Sequence, residues 1–465
     1  MGNRTMSPTG LCRKGGVQGT ATCSIKLGSA AKTSSAAKTC GGLYFTHLPV
    51  SWAAGTGCHT AACFRMETKM NSKFKAAADT VLDYTVNRFG GAPGVVAMAT
   101  ARSGNVYEGA VGKHELGKDQ PMTTDSVFAI FSTTKAVTGV TVMQLVEEGK
   151  ISLSDPAKKY VPAIGELRVL DGFDAAGQPK TRPPKRDITV NDLILHTSGL
   201  CYECFSADDL KYREATSVPS VLTCTDASIK SVLLHDPGER WTYGVNIDWL
   251  GKIVEQQRGK RLGEVMKERI FGPLGIQDMA FTMTDSMKAR RVTVHQRDQD
   301  GKLTPQPELA LPQPPELEAG GLGLYSTVGD YMKFIRMFLN DGAGPNGRVL
   351  KAETVAQMCE DGLAKLGLAS GGWPTSMPSI TNAGEFFPGV AKGWAYTFQF
   401  NREETPSGRP AGSLMWAGLP NCFYWIDRKN GVGGYWASQI LPFQDIASYT
   451  GFVDFETALY RSLKQ

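Results

Sequence analysis

The sequence predicts an α+β fold in which a single antiparallel sheet is assembled from both ends of the chain around an inserted, mostly helical lobe. Three observations carry this expectation. Runs rich in β-branched and aromatic residues occur between residues 95 and 131 and return only after residue 396. Helix-period segments flank both groups. The stretch between them, roughly residues 151 to 311, reads as helices and loops without regularly spaced strands. Strands distant in sequence with helices between them imply one catalytic unit rather than a string of modules.

The elements are legible in order. Phe74 to Phe89 reads as a helix, with Phe74, Ala77, Val81, Tyr84 and Val86 mostly on one face and Gly90-Gly91 as its stop. Val95 to Ala99 and Val106 to Val111 are strands joined through Ser103-Gly104-Asn105, a hairpin. Ser126 to Phe131 is an apolar run of strand length. It leads into a helix on which Val137, Val140, Thr141 and Leu145 recur at helical spacing until Gly149. Within the lobe, Gln178 to Asp187 is rich in Pro and Lys. A further helix carries Ile247, Leu250 and Val254, with Asn246 placed to cap it and Gly259 to end it. Tyr396 to Phe400, Leu414 to Trp416, Phe423 to Asp427 and Gly433 to Gln439 are the late strands, and Phe452 to Leu463 is a closing helix.

Composition narrows the function. The 465 residues are 42% hydrophobic and 20% charged, ordinary for a globular protein. The formal charge of +5 arises at the beginning of the chain. Residues 1 to 65 hold seven Lys/Arg and no acid, leaving 43 basic and 45 acidic residues in the remainder. A nearly neutral body with no basic stripe argues against a nucleic-acid partner. The first 65 residues are rich in Gly, Ser, Thr and Ala and contain the near-duplicates Ser29-Ala30-Ala31-Lys32-Thr33 and Ser35-Ala36-Ala37-Lys38-Thr39. They read as a disordered prefix, either transit-like or an over-extended gene model starting ahead of Met66 or Met70. The catalytic domain is then expected over 66–465. Scattered cysteines predict reduced thiols in an intracellular, cytoplasmic setting, with organelle targeting if the prefix is genuine. Cys201-Tyr202-Glu203-Cys204 has C-x-x-C spacing, but no second pair completes a metal site. No apolar run approaches the ~18 residues of a membrane span.

The chemistry centres on Ser132-Thr133-Thr134-Lys135. A serine in the first turn of a helix sits beside unpaired N–H groups and the positive end of the dipole. A lysine three residues on shares that face, and a desolvated amine there can take the serine's proton. The same spacing at Ser29/Lys32, Ser35/Lys38 and Ser72/Lys75 is chance, because none of these lies between an apolar run and an amphipathic helix. A second element, Trp241-Thr242-Tyr243-Gly244-Val245-Asn246, puts Tyr243 on a turn just before a helix. A third, Leu414-Met415-Trp416-Ala417-Gly418-Leu419-Pro420-Asn421, is a strand running into a small-residue break where N–H groups can face a ligand.

In this order the three elements resemble the serine β-lactamase/penicillin-binding-protein superfamily. The match is nearest to its class C-like branch, which holds the family VIII carboxylesterases and the fungal lovastatin-type acyltransferases. Further segments carry the likeness: Ile188 to Leu193, His196-Thr197-Ser198-Gly199-Leu200, Pro237-Gly238-Glu239, Phe271-Gly272-Pro273-Leu274-Gly275 and Gly320 to Thr327. The resemblance implies a β-lactamase/transpeptidase-like fold. It also implies Ser132 as acylated nucleophile, Lys135 as base, Tyr243 as proton-relaying phenol, and an oxyanion hole at the N–H groups of Ser132 and Leu419. Neither a cofactor nor a metal is implied. The six histidines are scattered, and His196 is expected to order a loop.

Two departures bear on substrate. The third position of the family's Tyr-x-Asn is Val245 here, and Trp416-Ala417-Gly418 replaces Lys-Thr-Gly. A cation there pairs with a substrate carboxylate, and tryptophan cannot. A pocket walled by Trp416, with Tyr202 and Trp394, is expected to favour neutral, apolar groups. Esterase or transesterase activity on a neutral ester or thioester therefore outranks β-lactamase or D-aminopeptidase activity. The expected partners are a small ester or acyl donor, including an acyl-carrier or CoA thioester, and an alcohol acceptor. A catalytically silent binding protein of the same fold is the non-enzymatic alternative.

Overall fold

The computed structural model describes residues 61–464, with side chains from residue 73 onward. The reading of the first 65 residues falls almost wholly outside these. The first helix, α1, spans Ala61–Asn87, so it begins earlier than the predicted Phe74 and stops two residues short of Phe89. Its inward ridge is Phe74, Ala78, Leu82 and Thr85, while Tyr84, expected on the core face, is 59% exposed. The i, i+4 row through Leu82 won over the row through Val81 because it places a residue in contact with the sheet at every turn.

Strands β1 (Gly94–Ala101) and β2 (Asn105–Gly112) form the predicted hairpin. The apolar run before Ser132 contributes only a short strand, β3 (Val127–Ala129), and α2 (Thr134–Glu147) follows a 3₁₀ turn at Phe131–Thr133. Next come α3 (Asn246–Arg258), β4 (Tyr325–Thr327) and α4 (Val328–Leu339). The late strands are β5 (Lys392–Trp394), β6 (Gln399–Asn401), β7 (Leu414–Gly418), β8 (Cys422–Asp427) and β9 (Val432–Ala437), and α5 (Ile446–Leu463) closes the chain. The predicted strand at Tyr396 to Phe400 is thus the turn of the β5–β6 hairpin and the start of β6.

Seven strands form one antiparallel sheet in the order β5-β6-β7-β8-β9-β1-β2. Period-2 alternation decides which helices cover each face. On β8 and β9, Phe423, Trp425 and Trp436 meet Phe452 and Phe455 of α5. The intervening Tyr424 and Tyr435 meet Tyr331 of α4. Both faces are buried, so these strands read as continuous apolar runs. β3 pairs with β4 outside this sheet, which sets the start of α2 beside the end of β7.

The lobe is looser than a helical domain. It holds short helices and the hairpin Val169–Phe173 with Pro179–Arg182, whose second strand lies inside the Pro/Lys-rich stretch. Two arginines from that hairpin and the loop after it pin the site's loops from outside. Arg182 forks onto Asp236 at 2.9 and 2.7 Å, and Arg186 forks onto Asp192 at 2.6 and 2.9 Å. Among the described residues no helix is long and apolar enough to cross a membrane.

Candidate active site

Ser132 sits in the 3₁₀ turn that turns β3 into α2, preceded by Phe131 at φ +41°. A bulky residue in the left-handed region is strained, and such strain marks a position held by its surroundings. Lys135, one turn on, is fully buried. Its Nζ lies 3.1 Å from Ser132 Oγ, 2.8 Å from the Tyr202 hydroxyl and 2.7 Å from the Gly321 carbonyl oxygen. Burial strips the ammonium of water and pulls the Lys135 pKa down to about 7, against an opposing pull from Asp248. Near neutrality much of this lysine is a free amine. Two N–H bonds then serve Tyr202 and Gly321, and the lone pair is left for the serine proton.

Tyr243, on the turn before α3, is held by its neighbours rather than by solvent. The Trp416 indole N–H donates to its hydroxyl at 2.8 Å. Lys135 Nζ stands 4.7 Å from its ring centre, and Trp416 and His196 each lie 4.8 Å centroid to centroid. Burial raises its pKa strongly, while the nearby Ser132 hydroxyl and Trp416 stabilise the phenolate and pull it back. The phenol therefore stays protonated and can hand a proton to a leaving oxygen.

Several expectations need correction. Asn246 does not cap α3; Val245 occupies the cap position without a side-chain bond. Asn246 is fully buried and accepts from Ser198 Oγ at 2.5 Å, with its amide nitrogen 2.9 Å from His196 Nδ1. It ties the His196–Leu200 loop beneath Tyr243, and His196, fully buried with its pKa pushed well down by desolvation, orders that loop. Trp394 does not line the cavity. It is buried behind Trp416 at 4.5 Å in an edge-on contact and backs Trp241. Tyr202 does line the cavity but also bonds the lysine. Gly418 lines it as well, yet the close approach it allows is to backbone: a Cβ there would lie 2.2 Å from the Ile130 carbonyl oxygen. That contact docks the end of β7, and with it Leu419, against the residues preceding Ser132.

Sequence reasoning missed Asp248. It lies on the core face of α3, fully buried, and accepts the Gly321 N–H at 2.8 Å. Its other oxygen makes no well-formed hydrogen bond, though Tyr202 stands close enough to stabilise its charge. Desolvation raises its pKa, and Lys135 opposes that shift. The signal in the sequence was an acid between Ile247 and Leu250 on an otherwise apolar face. The glycine run is explained by the same contact, since a Cβ on Gly321 would fall 2.4 Å from Asp248 Oδ2.

The cavity in front of Ser132 spans about 790 Å³, counting the space that opens to solvent at its mouth. Tyr202, Tyr243, Trp241, Trp373, Trp416 and Leu419 are among its walls, and among the described residues no Lys, Arg or His side chain lines it. Among the described residues no cluster of three or more His, Cys, Asp or Glu could hold a metal ion, and the five described cysteines are free thiols.

A model of the beta-lactamase family matches residues 82–457. The chain belongs to the beta-lactamase family. Within it, the chain is 30% identical over 390 residues to monacolin J acid methylbutanoyltransferase of Aspergillus terreus, covering 80% of this chain and 92% of that protein. It is 30% identical over 396 residues to the lovastatin esterase of Penicillium rubens, covering 80% and 93%. A solved structure of a simvastatin synthase (LovD) variant from Aspergillus terreus superimposes with a TM-score of 0.69 at 28% identity, over 87% of this chain and 97% of that one. The fold is accordingly the β-lactamase/transpeptidase-like one. This family member is an enzyme of the serine hydrolase and acyltransferase kind, with acyl transfer as its class of chemistry.

Proposed function

We propose that residues 66–465 act as one catalytic unit, an esterase or transesterase for neutral, apolar esters or thioesters, working through Ser132, Lys135 and Tyr243. The observation that carries this reading is a desolvated amine 3.1 Å from a serine hydroxyl at the wall of a cavity that no cation among the described residues lines. Ser132 Oγ forms a bond to the acyl carbon while the bond from that carbon to the alcohol oxygen or thiol sulfur breaks. The serine proton passes to Lys135 and, by way of Tyr243, to the leaving group. Water or an acceptor alcohol then reverses these steps on the acyl-enzyme. The N–H groups of Ser132 and Leu419 receive the carbonyl oxygen as it becomes an oxyanion.

Fluorophosphonate labelling and p-nitrophenyl butyrate turnover test the reading. Ser132→Ala is expected to abolish labelling, and Lys135→Ala and Tyr243→Phe each to lower the rate at least ~10²-fold. Wild-type protein that neither labels nor hydrolyses would favour the silent binding protein. Trp416 supports the choice of neutral substrates, since its indole occupies the place of a carboxylate-pairing cation. Benzylpenicillin is expected to be a poor substrate beside a short neutral ester, and comparable efficiency on both would overturn that choice in favour of amide hydrolysis.

A further inference from the structure

A second, smaller apolar cavity adjoins the first. The two share four lining residues: Phe131, Leu222, Ile380 and Leu419. Two of these flank the nucleophile, Phe131 as its chain neighbour and Leu419 as the residue just after β7. Beyond them the annex is walled by Leu309, Leu311 and Leu441, among others, and no charged side chain of the described residues lines it. Its single side-chain hydroxyl, on Tyr325, already accepts the Leu311 N–H at 3.0 Å. Such walls offer nothing to a polar or charged group and suit a saturated hydrocarbon.

We infer that this annex holds the distal, alkyl end of the acyl group, making the enzyme selective for acyl chains of medium length. This rests on the acyl-transfer reading above. The tetrahedral carbon formed on Ser132 has four substituents. One is Oγ, and the oxyanion turns toward the N–H groups of Ser132 and Leu419. The leaving oxygen must face Tyr243 and Lys135, which supply its proton, so the alcohol occupies the main cavity on the side of Tyr243 and Trp416. The remaining substituent, the acyl chain, leaves on the side of Phe131 and Leu419, where the annex lies. Each methylene that enters it should raise kcat/KM about three- to fourfold until the space is filled.

Two isomeric esters separate the possibilities. Methyl octanoate carries its chain on the acyl side, and heptyl acetate carries it on the alcohol side. Wild-type enzyme is expected to prefer methyl octanoate to methyl acetate by at least tenfold. Ala310 lines the annex yet is solvent-exposed, so a tryptophan there can occupy the space with little burden on folding. Ala310→Trp is expected to lower the ratio of methyl octanoate to methyl acetate kcat/KM at least tenfold, with the heptyl acetate to methyl acetate ratio within twofold of wild type. Leu309→Ala, which enlarges the same space, is expected to move the optimum to longer acyl chains. An acyl-enzyme on Ser132 in intact-mass spectra together with a flat acyl-length profile would overturn the annex alone. The opposite response of the two isomers would assign it to the alcohol. Absence of any acyl-enzyme would overturn both this inference and the acyl-transfer reading.

Discussion

Lys135 is an amine whose charge the fold does not welcome, and two consequences can be measured. The first is kinetic. With its pKa pulled down to about 7, kcat/KM for a neutral ester should rise with pH and level off above that value. Asp248 favours the protonated lysine, so Asp248→Asn should move this limb to lower pH while Ser132 still labels. An unchanged limb would mean that the carboxyl carries no charge in the working enzyme. The second consequence is thermodynamic. An unfolded lysine keeps its proton up to about pH 10, whereas the folded one releases it near 7. The unfolded state therefore binds more protons across this window, and stability climbs as pH rises through it. Lys135→Met should exceed wild type in stability by a few kcal/mol at pH 6, the gap shrinking toward pH 10 in urea denaturation. A gap independent of pH would contradict a desolvated amine.

Elements hold this residue chemistry in register by approaching more closely than side chains allow. β7 meets the start of α2 at Gly418, where a Cβ would press to 2.2 Å on the Ile130 carbonyl oxygen, a backbone atom that cannot rotate away. Gly418→Ala should lower the rate at least ~10-fold and destabilise the fold by ~1–3 kcal/mol, read by fluorophosphonate labelling and thermal melting. Wild-type values in both would show that the strand end tolerates displacement. The small residues after Trp416 announced a close approach, but the chain alone offered no way to tell ligand from backbone as the approaching group. Asn246 illustrates the same limit. Its position before an apolar helix fits a cap, and only the distant His196 and Ser198 reveal what its amide bonds. Ser132, Lys135 and Tyr243 could be picked out as candidates because helix spacing and turn position are local signals. Tyr202 and Asp248 take their roles from partners 67 and 73 residues away.

At the scale of the molecule, the α+β architecture and the sheet drawn from both chain ends could be read from strand-rich runs separated by a helical middle. The lobe's hairpin could not, because Pro179 to Arg182 carries too little apolar pattern to announce a strand. The late half is secured by a pair that no local pattern marks. Arg409 and Glu456 are both fully buried, 3.3 Å apart, and join the β6–β7 connection to α5. Glu456 also receives the Ser407 hydroxyl at 2.6 Å, and burial raises its pKa. Removing one partner strands the other charge, so Glu456→Ala should cost about 3–5 kcal/mol in denaturant melts. Arg409→Met with Glu456→Leu should recover most of that loss, and failure to recover would point to Ser407 rather than the ion pair.

The pairing of β1 with β9 also sets a timetable. β1 pairs with β2 as soon as the hairpin is made, but more than three hundred further residues separate it from β9, its neighbour on the other side. Trp416 also comes late, on β7 shortly before β9, so a nascent chain can hold Ser132 and Lys135 before there is an indole to bond Tyr243. Such a long wait for a sequence-distant partner slows folding and leaves strand edges exposed. On the acyl-transfer reading proposed above, the arrangement around Ser132 would therefore be completed only when these late strands join the sheet.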